Sequence, residues 1–267
     1  DRRKAAMQAY CEWMPVRATN PSEQGHLYRS LTFGDLVELT MMDLRTYRDE
    51  QVRFGPRKMA AEGRTMLGSE QYNWLLNKIE TSSAKWNMLG NSVMFSPMNL
   101  ATLQQDDKTK PVSSSLSSNI TGIPVNGDQW DGYSAERRLL IDALSKHDSH
   151  TLFVTGDIHS EWAHNISKDG RIFGAEMVCA SVSAPNVNEQ LKLPEGNELS
   201  KLAERYLLGA NPHTRHVDLD HHGYSFVTVR PDSAEMHWLR VDNLLTAKSP
   251  VREAVTMTWR PGEGYSK

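Results

Sequence analysis

The stretch Thr151-Leu-Phe-Val-Thr-Gly-Asp-Ile-His-Ser-Glu-Trp162 decides how this chain is read. Its apolar, β-prone run Leu152, Phe153 and Val154 stops at Gly156, and the next residues set a carboxylate at Asp157 and an imidazole at His159, two positions apart. On an extended backbone residues i and i+2 face the same way, and the carboxyl end of a buried strand is where α/β proteins place their chemistry. Asp157 and His159 are therefore candidate metal ligands and candidate catalytic groups. The same residues also fit a strand that closes in an ordinary Gly-Asp turn, with His159 capping the following element. The rest of the chain has to separate the two readings.

Length and composition predict one globular domain, or a large piece of one. The chain has 267 residues, 39% hydrophobic and 24% charged, enough for a sizeable core. A formal net charge of −3 leaves no basic footprint for nucleic acid. No run approaches the roughly eighteen continuous apolar residues of a membrane span, and no signal-peptide core is present. The chain opens at Asp1 inside a helical pattern, and the expectation is a fragment or processed product whose compartment is open. Cys11 and Cys179 lie far apart and form no Cys-x-x-Cys, which excludes a disulfide-stapled mini-fold.

Working outward, the β-α-β succession expected of a layered α/β domain surrounds the opening stretch. Upstream lies a helix from Ser134 with an apolar stripe at Leu139, Leu140, Ala143 and Leu144, and Glu136 in its first turn. Residues 1–14 predict a short helix ended by Pro15. Leu27–Leu31 and Leu36–Met42 read as strands joined at Gly34-Asp35. The second strand delivers Asp43-Leu-Arg45-Thr-Tyr47-Arg48, where an internal Asp43–Arg45 or Asp43–Arg48 ion pair and an anion-binding arginine fork are both open. Residues 52–66 read as a surface loop, and Ser69 as the N-cap of a helix carrying Gln71, Trp74, Leu75 and Ile79. Trp86–Leu89 predicts a strand ended by Gly90-Asn91, with Asn91 either a turn residue or a presented ligand.

Residues 99–127, polar and serine-rich, predict a long flexible loop inside a single domain that spans 1–267. Asp128-Gln-Trp130-Asp131-Gly132-Tyr133 is a compact aromatic and acidic turn. Beyond the opening stretch come a tight connection at Asn165–Gly170, a strand at Ala175–Ala180, and a helix through Leu199, Leu202, Tyr206 and Leu207 ended by Gly209. The histidine-rich run His213 to His222 matches no structural zinc spacing and reads as a polar loop feeding an edge strand. Tyr224–Arg230 and Glu235–Val241 predict a β-hairpin. No Gly-x-Ser-x-Gly elbow and no phosphate-cradling Gly-x-x-x-x-Gly-Lys occurs.

Three groups of motifs, in order and spread from about Tyr10 to Val241, resemble the PhoD-type alkaline phosphatases. They are Thr32–Arg48 (Thr-Phe-Gly-Asp-Leu-Val-Glu-Leu-Thr-Met-Met-Asp-Leu-Arg-Thr-Tyr-Arg); Gly68-Ser-Glu-Gln-Tyr-Asn-Trp-Leu75 with Trp86-Asn-Met-Leu-Gly-Asn91; and Trp130-Asp-Gly-Tyr133 with Gly156-Asp-Ile-His-Ser-x-Trp162. The resemblance implies a calcineurin-like metallophosphatase core, a four-layer αββα sandwich with a multi-metal centre at the strand ends. It implies hydrolysis of phosphate monoesters and diesters, calcium (Ca2+) and ferric iron (Fe3+) as cofactors, and a periplasmic or secreted protein.

On that resemblance Asp157, His159 and Asn91 would be metal ligands. Arg45 would hold phosphoryl oxygens, and Trp130 and Tyr133 would wall the pocket unless they pack in the core. Asn91 and Asp157 would stand where broader metallophosphatases have imidazoles, and their hard oxygens would favour calcium over zinc. The family's earlier motifs, a ligand cysteine, Gly-Asp-x-x-Tyr and Trp-Asp-Asp-His-Glu, would lie ahead of residue 1. The expectation is thus the second half of the sandwich, inactive alone and active in its parent polypeptide. A different class is also open: a non-catalytic binding or structural domain that keeps the fold.

Overall fold

Alternation along the strand His150–Thr155 sets the layers. Leu152 and Phe153 are both fully buried, yet they belong to two separate apolar clusters. A strand covered on both faces reads as a continuous apolar run, which is the pattern of Leu152-Phe153-Val154. The computed structural model describes residues 2–16, 25–52, 55–102, 122–124 and 126–266.

Helix α1 (Arg2–Trp13) precedes the hairpin of β1 (Arg29–Phe33) and β2 (Val37–Met41). Helices α2 (Pro56–Met59) and α3 (Gly68–Thr81) lead to β3 (Trp86–Asn91), and β4 (Asn99–Thr102) pairs with β5 (Gly122–Pro124). A 3-10 turn at Trp130–Tyr133 enters α4 (Ser134–Leu144), followed by β6 (His150–Thr155), β7 (Glu161–Lys168) and β8 (Arg171–Val178). Helices α5 (Val187–Gln190) and α6 (Glu198–Ala210) precede β9 (Thr214–Asp218). The chain closes with β10 (Gly223–Arg230), β11 (Ser233–Val241), β12 (Val251–Arg260) and β13 (Gly264–Ser266).

A seven-stranded sheet runs β1-β2-β3-β6-β8-β7-β9, with β2, β3, β6 and β8 parallel and the pairs β1·β2, β7·β8 and β7·β9 antiparallel. On one face, Leu75 and Ile79 of α3 and Leu140 and Leu144 of α4 pack over Leu89 and Phe153. On the other face, the four-stranded sheet β10-β11-β12-β13 brings Met236, Trp238, Met257 and Trp259 against Trp86, Leu152 and Ala175. Two indoles stitch the sheets together, Trp86 Nε1 donating to the Arg230 carbonyl at 2.7 Å and Trp238 Nε1 to the Val178 carbonyl at 2.9 Å. The fold is the expected α/β sandwich, and the described residues supply three of its four layers: Tyr224 and Phe226 on the small sheet are exposed.

Several local expectations change, each for a packing reason. The stretch 52–66 is not wholly a surface loop, because α2 buries Met59 and Met66 is buried beside it. Ser69 does not cap α3; the N–H groups of Met66 and Leu67 donate instead to the carboxylate of Glu136, at 2.6 and 3.1 Å. Lys168 is still in strand β7, so the connection at Asn165–Gly170 shrinks to Asp169-Gly170, both at positive φ, as a two-residue hairpin turn requires. Gly209 lies inside α6, which ends at Asn211, whose Nδ2 donates to the Leu207 carbonyl at 2.9 Å. The ends of the predicted loop 99–127 pair as β4 and β5, and residues 103–121, where its flexibility was expected, lie outside the described residues.

The histidine run does not merely feed an edge strand: Thr214–Asp218 is that strand. On the neighbouring strand His164 is buried, with Nδ1 3.0 Å from Thr214 Oγ1 and Nε2 without a partner among the described residues, and His213 faces the Pro97 carbonyl at 2.9 Å. Burial lowers both pKa values, that of His213 to about 4. In the unfolded chain both imidazoles titrate near their ordinary value of about 6.5, so between that pH and about 4 the unfolded chain binds protons that the folded chain refuses. Stability is therefore complete above pH ~6.5 and falls by up to ~3 kcal/mol for His213 as the pH drops towards 4. Urea unfolding across this range should show the loss, and His213→Gln should reduce it to the share of His164.

Candidate active site

Strands β2, β3 and β6 run parallel and end side by side, Met41 next to Gly90 and Asn91 next to Thr155. Their carboxyl ends open into a cleft of about 620 Å³ lined by Asp43, Arg45, Asn91, Thr155 and Gly156. Beyond Thr155 the backbone leaves the extended conformation. Asp157 and His159 take φ values of 74° and 55°, in the left-handed region, and the Ile158 N–H donates to the Gly156 carbonyl at 3.0 Å. This is a γ-turn centred on an aspartate, a rare form that costs on the order of 1–3 kcal/mol. The acid and the imidazole are thus presented by two left-handed residues, and not by the strand alternation that the sequence suggested.

The Nδ1 of His159 lies 3.0 Å from the Pro185 carbonyl. A carbonyl only accepts, so Nδ1 carries the proton and the lone pair sits on Nε2, the tautomer that ligates metals. Asp157 Oδ1 lies 3.3 Å from a guanidinium nitrogen of Arg45, a long contact and its one ion pair among the described residues. No group of three or more His, Cys, Asp or Glu placed to hold a metal ion occurs among the described residues, so these two side chains make at most part of a ligand set. Cys11 and Cys179 are free thiols and join neither.

Arg45 and Arg48 do not pair with Asp43. Arg45 donates to both carboxylate oxygens of Asp128, at 3.1 and 2.9 Å, and Arg48 donates to Asp128 Oδ1 at 2.7 Å and to the Asp128 carbonyl at 2.9 Å. Asp43 folds its short side chain back on its own turn, where Oδ1 accepts the N–H groups of Arg45 at 3.0 Å and Thr46 at 2.9 Å. Gln71 clamps the Asp43 backbone from both sides, at 2.7 and 2.9 Å. Asp128 is the site residue that sequence reasoning missed. Its one signal was its position at the head of the Asp128–Tyr133 turn.

Asn91 is the last residue of β3, buried, and both ends of its amide are engaged. Nδ2 donates to the Val93 carbonyl and to Thr155 Oγ1, while Oδ1 accepts from the Trp130 indole at 3.0 Å. It is neither a turn residue nor a side chain free in the cleft. Trp130 and Tyr133 are fully buried in the core under the helices, and the Tyr133 hydroxyl donates to the Asp49 carbonyl at 2.7 Å. They support the site from behind and do not wall it.

Behind Thr155 lies a buried carboxylate. Glu176 of β8 accepts from Thr155 Oγ1 at 2.7 Å and from the N–H groups of Phe95 at 2.7 Å and Ser96 at 2.8 Å. Burial raises its pKa, and the donors oppose the shift. The relay Trp130, Asn91, Thr155, Glu176 ties together the ends of β3 and β6 and the loop after β3. Glu176→Ala would orphan three buried donors at roughly 1–3 kcal/mol each. The expected result is a loss of ~3 kcal/mol or more in chemical unfolding, well above the cost of truncating the exposed Glu198.

Comparison with known proteins places this geometry. A family model described as PhoD-like phosphatase matches residues 1–238. The chain is 34% identical over 246 residues to alkaline phosphatase D of Bacillus subtilis (strain 168), covering 86% of this chain and 37% of that protein. A solved structure titled "Structure of PhoD" superposes with a TM-score of 0.78 at 26% identity, over 100% of this chain and 48% of the other. The chain thus spans half or less of the length of these relatives. With a family model spanning residues 1–238 and a 34% identical relative over 86% of this chain, the chain belongs to the PhoD-like phosphatase family.

Proposed function

We propose that the polypeptide containing this chain hydrolyses phosphate monoesters and diesters with metal-activated water, and that Asp157 and His159 are its ligands from this chain. The observation that carries the reading is the strained turn just beyond Gly156, at the rim of the cleft, that carries Asp157 and His159, with His159 Nδ1 held by the Pro185 carbonyl so that the lone pair lies on Nε2. A carboxylate oxygen suits calcium or iron and an imidazole nitrogen suits iron, the ions that the family resemblance implies. Such ions, when bound, acidify a water and neutralise phosphoryl oxygens.

The protein's own groups do the rest. His159 offers a lone pair of fixed direction, and Asp157 offers a carboxylate already paired with a cation. Arg45, half-exposed at the mouth of the cleft, holds the remaining oxygens of the substrate. Asn91 is not counted with Asp157 and His159, since its amide braces Thr155 and accepts from the Trp130 indole, although Oδ1 keeps a second lone pair. Two donors fall short of the three or four protein ligands usual for a metal such as zinc, so the reading takes the others from outside the described residues. No described helix is long and apolar enough to cross a membrane, and a periplasmic or secreted location is proposed on family grounds.

The test compares the natural polypeptide with the isolated chain, using p-nitrophenyl phosphate and its bis-ester. The polypeptide should hydrolyse both, lose activity on chelation and regain it with calcium and iron, while the chain alone should be inactive. Asp157→Asn should lower kcat/KM by more than the roughly 100-fold that a second-sphere change costs, with the circular dichroism spectrum unchanged. Metal-independent hydrolysis would overturn the metal-activated mechanism, and no hydrolysis at all would overturn the reading in favour of a binding domain.

A further inference from the structure

Four side chains at the mouth of the cleft form an alternating line of charge, Arg48, Asp128, Arg45, Asp157, linked at 2.7, 2.9 and 3.3 Å. Their exposures differ in an informative way. The Arg48 side chain is 16% exposed, and its two terminal nitrogens are committed to the Asp128 carboxylate and the Asp128 carbonyl. Arg45 is 46% exposed, anchored through one nitrogen to both oxygens of Asp128 and only loosely, through the other, to Asp157. Of the two guanidiniums, Arg45 alone is placed to meet a ligand.

We infer that Asp128 and Arg48 are a positioning pair, which fixes the Arg45 guanidinium beside Asp157 and keeps it net cationic for a phosphoryl group. The inference rests on the phosphatase reading and concerns residues that the reading leaves unassigned. Its basis is a count of charges. A carboxylate alone against Arg45 would orient the fork but also neutralise it, and a neutral pair attracts an anion weakly. Arg48 supplies the second positive charge, so with the Asp157 carboxylate given over to a metal the other three groups carry +1 in total, and Asp128 orients without cancelling. Asp128 stays ionised: burial raises its pKa, but hydrogen bonds from Arg45 and Arg48 outweigh this and hold it below the ordinary value.

Both ends of the pair are fixed. The Asp128 N–H donates to Asn126 Oδ1 at 3.0 Å, and the residues just after it are the buried Trp130–Tyr133 turn. Arg45 and Arg48 follow the Asp43 turn, whose backbone Gln71 clamps. The separation between anchor and fork is therefore set by the core and not by the mobility of two long side chains. An arginine so held loses little freedom on binding an anion.

The experiment measures inorganic phosphate affinity by titration calorimetry, together with kcat and KM, in the natural polypeptide. Arg48→Met should weaken phosphate binding and raise KM about tenfold, the effect of losing one charge-assisted contact's worth of attraction, with kcat little changed. Arg48→Lys should restore most of the phosphate affinity, because it returns the charge. Asp128→Asn should act in the opposite sense, lowering kcat while leaving phosphate affinity equal or tighter, since Arg45 keeps its charge but loses its aim. Unchanged phosphate affinity in Arg48→Met, failure of Arg48→Lys to recover it, or parallel losses in Arg48→Met and Asp128→Asn would overturn the inference. So would the absence of phosphate binding in the unsubstituted protein. If Asp157→Asn abolishes hydrolysis while Arg48→Met changes nothing, the positioning pair falls and the phosphatase reading stands. If phosphate binding follows Arg48 but no ester is hydrolysed, the reverse holds.

Discussion

A carboxylate with no access to solvent governs the working end of this molecule. Glu176 sits in the middle of the large sheet, where burial disfavours its charge, and it is tolerated because Thr155 and the N–H groups of Phe95 and Ser96 all point at it. Those donors belong to β6 and to the loop after β3, so satisfying Glu176 forces the two strand ends into one arrangement. Asn91 and Trp130 extend the same network towards α4. The cleft floor is rigid because its polar groups have no water to fall back on.

Rigidity there lets the next residues be strained. A γ-turn at Asp157 and a left-handed His159 are poor local conformations, and each persists only where surrounding contacts over-determine it. Thr155 is locked on one side and the Pro185 carbonyl holds His159 on the other. Strand β7 begins at Glu161, whose carboxylate is bound by Arg240 of the second sheet at 3.0 and 2.6 Å. The turn is thus suspended between two strands of the large sheet, with Arg240 of the second sheet holding its far end. The second sheet therefore contributes to the site without placing a residue in it.

The charged groups at the cleft mouth follow a related logic. Asp43 uses its oxygen to shape the turn that carries Arg45 and Arg48, and Asp128 receives the side chains that the turn projects. An acid that orders backbone and an acid that orders guanidiniums are different devices, although either could have been guessed as the arginines' partner. Distance separates them: a two-residue interval suits an aspartate folding onto its own N–H groups, while an arginine reaches across the cleft to another loop.

Much of the fold was legible because it rests on local periodicity. The continuous run at Leu152–Val154, the hairpin at Gly34 and the hairpin of β10 and β11 follow from side-chain alternation and turn chemistry, which a chain carries with it wherever it folds. The motif order identified the family, and the Gly156-Asp-x-His159 pair pointed to the candidate site. Strands β12 and β13, the edge role of Thr214–Asp218, and Glu136 as the group that takes up the N–H groups ahead of α3 were not legible, because each depends on a partner remote in sequence. The same holds for three corrections at the site: Asn91 turned inward to Thr155 and Trp130, Trp130 and Tyr133 sunk in the core, and Asp128 paired with Arg45 across 83 residues. By itself the sequence determined which residues could do chemistry and on which elements they ride. Only the tertiary structure decided which of them share a cleft and which are consumed as braces, since a polar group's role depends on whether water or another part of the chain satisfies it.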